Sequence, residues 1–350
     1  MDYKAAGVDI DAANDVVDRV KRLARTTFTD GVLSDIGAFG GLFRPELGGM
    51  DEPVLVASAD GVGTKLKVAF AANEHRTVGL DLVNHCVNDI LAQGARPIFF
   101  LDYLATGRLA PHISAAVVEG VANGCKENGC ALLGGETAEM PGFYADGEYD
   151  LAGFVVGLVD RARIIDGRTT APGDVIIGLP STGLHTNGFS LARRVLFEQL
   201  GFDADTELQE LGCTVGEELL RPHCSYLATV GPAIDSGLVK GIAHITGGGL
   251  TDNVPRALSD GCTAVIDREA WPVPPIFDLL RERGDVPVAD MYRTFNMGIG
   301  LAIICGRADA ASVLAILISS GEIGAARIGE IRAGDPGVYY AKLDFSRSAL

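Results

Sequence analysis

Residues 53–65, PVLVASADGVGTK, open as a short strand (53–60) and end in the glycine turn DGVGTK (60–65). The turn is a near miss for the phosphate-cradling loop G-x-x-x-x-G-K-[ST], because Thr64 stands between Gly63 and Lys65. Asp60 adds negative charge where a loop wrapped around phosphates should not want it. Gly61 and Gly63 let the backbone turn tightly and let a ligand come close. Asp60 offers the hard oxygen that Mg²⁺ takes alongside water and phosphate, and Lys65 is a point cation for a phosphate. With a metal ion between acid and nucleotide the two charges are compatible. A plain β-turn with a surface lysine explains the same six residues.

Outward from this turn, strands and helices alternate. Val16 to Ala24 has helical spacing, residues 77–93 suit a helix ended by Gly94, and 97–105, 131–135 and 149–159 read as strands. A charged stretch rich in Gly and Pro at 160–174 marks a boundary. Beyond it the plan restarts: strand and loop at 174–183, a helix in GFSLARRVLFEQL, and a strand, glycine loop and helix over 241–258. TAVID, IFDLLRER, MGIGLAIIC, a helix at 309–319 and strands at 326–331 and 337–343 complete it. The expected fold class is α/β with helices packed on sheets, in two domains, 1–168 and 169–350.

Composition narrows the function. A chain of 350 residues, 47% apolar and 21% charged, is a folded protein large enough for two cores. Its net charge of −17 argues against coating nucleic acid, though local cations still serve small phosphorylated ligands. No apolar run approaches the ~18 residues of a membrane span, and no basic segment followed by an apolar stretch opens the chain. A cytosolic protein is expected. The seven cysteines form no C-x-x-C pair and are expected to be reduced thiols with a packing role.

Five further segments carry chemistry. Asp81, His85 and Asp89 recur every four residues on the 77–93 helix, with Asn84 and Asn88 on the adjacent stripe. Such a face is either solvated or held by cations. Asp102 interrupts the apolar IFFLDYL, where a bound metal or a place at the strand's end would offset the cost of burial. GGETAEMPGF (134–143) sets Glu136 and Glu139 just past a strand, where α/β proteins keep ligands. STGLHTNGFS (181–190) carries His185 and Asn187 into a helix N-terminus, and ITGGGL (245–250) offers Gly247, Gly248 and Gly249 to a phosphate or to close packing.

Together with YKAAGVDID, IGAFGGLF, CVNDILAQGA and MYRTFNMGIG, these segments resemble the phosphoribosylformylglycinamidine cyclo-ligase family over nearly the whole chain. DGVGTK alone marks only the wider superfamily, which includes selenophosphate synthetase and thiamine-phosphate kinase; GGETAEMPG and the LDY segment narrow it. The resemblance implies ATP-dependent closure of formylglycinamidine ribonucleotide to aminoimidazole ribonucleotide, with ADP and phosphate released. It implies Mg²⁺ held by Asp60 and Asp89, with Asp102 and Glu136 nearby, and leaves room for K⁺. Lys65 and the turn residues Gly61, Gly63 and Thr64 would meet ATP. Gly37, Gly40 and Gly41 would close over the nucleotide, His185 and Asn187 would face the ribonucleotide, and Gly247 to Gly249 a phosphate. The family also implies a homodimer joined through the first domain's sheet. Ala5 and Ala38 depart from its pattern. A sister kinase and a non-catalytic nucleotide sensor are the rival readings; the intact Asp60, Lys65, Asp89, Glu136 and His185 weigh against the second, since a sensor need keep only enough to bind.

Overall fold

The computed structural model describes residues 10–343; Ala5 and most of YKAAGVDID lie outside that range. The first domain runs α1 (Ile10–Arg25), β1 (Pro53–Gly61), α2 (Leu66–Ala72), α3 (Arg76–Leu91), β2 (Arg96–Thr106), α4 (Pro111–Glu127), β3 (Ala131–Glu139) and β4 (Tyr149–Asp160). Its sheet has the order β1-β4-β2-β3, with β2 and β3 parallel and the other pairs antiparallel. Residues 161–174 lead to the second domain. There β5 (Val175–Pro180), α5 (Phe189–Arg193), the short pair β6 (Glu207–Leu208) and β7 (Cys213–Thr214), α6 (Val215–Leu219), α7 (Leu227–Asp235) and β8 (Val239–His244) follow in turn. Then come α8 (Gly249–Asn253), β9 (Cys262–Ile266), α9 (Pro275–Arg283), α10 (Val288–Thr294), β10 (Ile299–Cys305), α11 (Ala310–Ser319), β11 (Ala326–Ala333) and β12 (Val338–Tyr340). The second sheet, β12-β9-β11-β5-β10-β8, is antiparallel except for β12 beside β9.

The two sheets are covered differently, and their sequences say so. β5, β9 and β10 are near-continuous apolar runs, and apart from the exposed Pro180 at the end of β5 they are buried throughout. β1 alternates instead, with Val54, Val56 and Ser58 turned toward α3 and Leu55, Ala57 and Ala59 exposed. Leu55 is 66% exposed and Phe154 of β4 is 44% exposed, so this sheet keeps an open apolar face.

Helix α3 has no free side. It crosses α4 where Gly79 meets Gly120: a Cβ on Gly79 would sit 2.2 Å from the Val117 carbonyl oxygen. Leu82 and Cys86 face the sheet core, and Gly94, at φ 80°, turns the chain just after the helix. The polar stripe is not solvated, and the cation beside Asp81 is the protein's own Lys65 ammonium, 2.8 Å away. The stripe is buried against the second domain, and that domain's backbone satisfies it. Asp81 accepts the His223 N–H at 2.6 Å, Asn84 donates to the His223 carbonyl at 2.8 Å, and Asn88 pairs with the Cys224 carbonyl and the Tyr226 N–H. This stripe is the adhesive of the domain seam.

Several boundaries differ from the sequence reading. β3 continues through Glu139, so Glu136 and Glu139 lie within a strand rather than in a loop after it. Asp102 is mid-strand in β2, and the helix after Gly188 passes at Arg194 into a π-helical turn. Helices α6, α7 and α10 were not foreseen. All seven cysteines are free thiols, as expected.

Candidate functional site: a histidine and carboxylate seam between two domains

Strand β1 ends at the seam and there presents Asp60, while α3 brings Asp89 to it from below. Asp60 Oδ2 lies 2.7 Å from His85 Nε2, and its Oδ1 accepts the Gly61 N–H at 2.7 Å. Asp89 Oδ1 lies 2.8 Å from His244 Nδ1, and its Oδ2 accepts the Ser58 hydroxyl at 2.8 Å. Burial pushes both carboxyls up, but the imidazole bonds and charges outweigh it and hold both below the usual range.

Four of the six histidines gather here. His223 Nε2 is 3.1 Å from His244 Nε2, and the Thr186 hydroxyl lies 2.6 Å from His85 Nδ1 and 3.3 Å from His223 Nδ1. His185 stacks on His223 with ring centres 3.9 Å apart. Burial, reinforced by neighbouring imidazoles, pushes His185 and His223 well below the normal range and His244 below it. His185 sits at φ 61°, a left-handed conformation uncommon outside glycine. Its Nε2 accepts the Thr182 N–H at 3.2 Å, which assigns the neutral ring's proton to Nδ1, a buried atom with no hydrogen-bond partner.

Lys65 is not where a phosphate contact needs it. Its side chain is fully buried, with Nζ 2.8 Å from Asp81 Oδ2 and donating to the carbonyls of Arg221 (2.8 Å) and His185 (3.1 Å). An ammonium has three donors, and the protein occupies all three. The turn's geometry is as expected, with Gly63 at φ 68° and Thr64 reaching Ser190 across the seam at 3.1 Å. The lysine is directed inward, as a strut beneath the His185 loop.

The remaining expected residues fall into two further places. Gly37, Gly40, Gly41 and Glu136 border a cavity of about 590 Å³ over the edge of the first sheet, with Asp102 at its floor. Gly37 has φ 106°, Gly41 packs on Leu133, and Ala38 lies between them. Asp102 and Asp60 share one row of the sheet, each paired with Gly153 of β4, so two strand spacings, roughly 9–10 Å, part them. Among the described residues no cation is paired with Asp102, and desolvation raises its pKa to about 7. Burial thus favours the protonated form of this carboxyl, which lies mid-strand rather than at a strand's end.

The other place is a cleft of about 340 Å³ between the domains, lined by Ser58, Asp89, His244, Asn253 and Arg256. Asn187 and Gly247 meet nearby, since a Cβ on Gly247 would lie 3.2 Å from Asn187 Oδ1. Gly248 needs its φ of 95°, and Gly249 also serves packing, its Cβ position lying 2.2 Å from the Tyr292 carbonyl oxygen. Sequence reasoning assigned no role to His223, His244 or Arg256. His244 was accessible as a strand-end residue beside ITGGGL; RPHCSY around His223 carries no motif.

The fold and both halves have known relatives. Residues 46–159 match the N-terminal domain, and 171–341 the C-terminal domain, of the AIR synthase related protein family. A phosphoribosylformylglycinamidine cyclo-ligase of Syntrophotalea carbinolica is 54% identical over 331 residues, 95% of this chain and 94% of its own length. One from Geobacter sulfurreducens is 51% identical, covering 97% and 98%. Solved structures of E. coli HypE (TM-score 0.67, 22% identity, 93% of both chains) and of the Stenotrophomonas maltophilia thiamine-monophosphate kinase (TM-score 0.66, 21% identity, 93% and 95%) share the fold. With both halves matched and over half of the aligned positions identical across nearly its full length, the chain belongs to the phosphoribosylformylglycinamidine cyclo-ligase family.

Proposed function

We propose that this protein uses ATP to close formylglycinamidine ribonucleotide into aminoimidazole ribonucleotide, releasing ADP and phosphate, a step of purine biosynthesis. The observation that carries the reading is near-full-length identity of 51–54% to relatives bearing that activity's name. ATP as co-substrate is further supported by a HypE of the same fold solved in complex with ATP (TM-score 0.62). The formyl amide oxygen attacks the γ-phosphorus and ADP leaves. The amidine nitrogen then adds to the activated carbon, and phosphate departs with the former formyl oxygen. A seam closed between two domains suits this chemistry, which depends on alignment and on exclusion of water more than on a protein nucleophile.

Asp60 and Asp89 lie close enough that the charge of Asp89 raises the pKa of Asp60, and a paired carboxylate set of this kind fits Mg²⁺. When bound, Mg²⁺ would supply charge compensation for the ATP phosphates. Glu136 and the lid glycines Gly37, Gly40 and Gly41 form the nucleotide side of this proposal, with Asp102 at its floor. His185, through the unpaired Nδ1–H, and Asn187 beside Gly247 face the ribonucleotide. Lys65 acts by holding the His185 loop. In the test, ADP release from Mg-ATP depends on formylglycinamidine ribonucleotide and matches aminoimidazole formation one for one. ADP without that product would move the protein to a sister kinase, and binding without turnover to a sensor.

The open face of the first sheet is proposed as the homodimer contact, since Leu55 and Phe154 expose apolar surface side by side with Ala57, Ala59 and Val156. Leu55→Asp should reduce the sedimenting species from two chains to one. A single-chain parent would remove the proposal.

A further inference from the structure

We propose, resting on the reaction stated above, that Arg193 is the cation that meets a substrate phosphate at the DGVGTK turn, the place the motif gives to Lys65. Lys65 is spent inward on Asp81 and two backbone carbonyls, so the turn keeps no cation of its own for a ligand.

Helix α5 lies across that turn. The Phe189 ring is 5.5 Å from Lys65 Nζ, and the Ser190 hydroxyl is 3.1 Å from that of Thr64. Arg193 follows these two residues by four and three positions, one helical turn on, and so shares their face. Thr64 and Ser190 are both exposed, which puts two hydroxyls and a guanidinium where an anion can reach them.

Arg193 is held there at a cost. Its Nε is buried without a hydrogen-bond partner, and among the described residues no carboxylate pairs with its guanidinium. Arg327, also half-buried, has Glu330 at 3.1 Å. Desolvating part of a cation that has no partner disfavours the fold. The chain turns π-helical at Arg194, the next residue, and such turns are rare and frequent at functional sites. The side chain is half-buried, so its outer Nη groups reach solvent. Two parallel N–H donors match two phosphate oxygens in a way that an ammonium cannot. The phosphate belongs to ATP or to the ribonucleotide, and binding measured without turnover separates the two.

Calorimetric titration of the full chain with Mg–AMP-PNP, and separately with formylglycinamidine ribonucleotide, is the test. In Arg193→Met one of the two ligands should bind about 10–150-fold more weakly, the range for hydrogen bonds to a charged group. Loss confined to AMP-PNP assigns the phosphate to ATP; loss confined to the ribonucleotide assigns it there. Arg193→Lys should recover only part of the loss, because it restores the charge without the fork. Arg194→Met, at the exposed neighbour, should bind both ligands as the parent does. Arg193→Met should also melt no lower than the parent, since it removes an unpartnered cation; a guanidinium kept only for the fold would lose stability instead. Unchanged affinity for both ligands in Arg193→Met, or a matching loss in Arg194→Met, would overturn the proposal. A parent that binds both ligands without forming aminoimidazole contradicts the reaction alone, and the Arg193→Met affinities still decide the role of this arginine.

Discussion

Lys65→Met should lower the free energy of unfolding by about 3–5 kcal/mol, the usual cost of leaving one member of a buried ion pair alone. The substitution strands the Asp81 carboxylate, which is fully buried, and leaves the carbonyls of His185 and Arg221 without their donor. Burial already favours the neutral form of each partner, lowering Lys65 and raising Asp81, while the pair's own attraction opposes it. Lys65→Met with Asp81→Leu should regain part of the loss, because an apolar pair replaces the ionic one at little cost. Recovery stops short, since Asp81 also accepts the His223 N–H, worth about 1–3 kcal/mol if orphaned. Urea melts of the three proteins read this directly. In material kept folded at low temperature, the Michaelis constant for ATP should change little while turnover falls with the displaced His185 loop. A Lys65→Met protein as stable as the parent, with a raised Michaelis constant for ATP, would restore the phosphate-contact role read from the motif.

Acidification should open the seam. Histidine titrates near 6.5 in the unfolded chain, whereas burial pushes His185 and His223 well below that in the folded one. Below about pH 6.5 the unfolded state thus binds more protons, so stability rises with pH in that window. The contribution is complete above 6.5 and is lost as pH falls toward the depressed folded values. Each such ring, His244 included, contributes up to about 1.4 kcal/mol per pH unit, and Asp102, whose raised carboxyl titrates near 7, opposes them by the same amount. Asp60 and Asp89, held below the carboxylate range, act in a separate window below about pH 4. Melts between pH 5 and 7.5 should show the net slope, and His223→Gln should lower it by one ring's share, up to about 1.4 kcal/mol per pH unit. A slope that His223→Gln leaves unchanged would mean that this ring titrates as it does in water.

The sequence made the scaffold readable where one element explains itself. The alternation in β1, the apolar runs of β5 and β10 and the glycine after α3 each depend on neighbours a few residues away. Helix α3 shows the limit. The repeat of Asp81, His85 and Asp89 is plain, but what satisfies the stripe is the backbone of residues 223–226, more than 130 positions on. No local periodicity encodes such a partner. Lys65 failed for a related reason: a motif gives the order of residues around a turn, not the direction a long side chain takes once two domains close on it. Asp102 stood out as an anomaly in an apolar strand, while the extent of its burial, which raises its pKa to about 7, depends on neighbours from other elements. His223 shows no sign in RPHCSY and becomes legible only beside His185 and His244.

The central claim is that ATP activates the formyl carbon by phosphorylating its oxygen inside this seam. Turnover of formylglycinamidine ribonucleotide carrying ¹⁸O in the formyl group tests it most directly, with the released phosphate analysed by mass. The account predicts that the label appears in inorganic phosphate, one atom per aminoimidazole ring formed. Label recovered in water, with unlabelled phosphate, would contradict it.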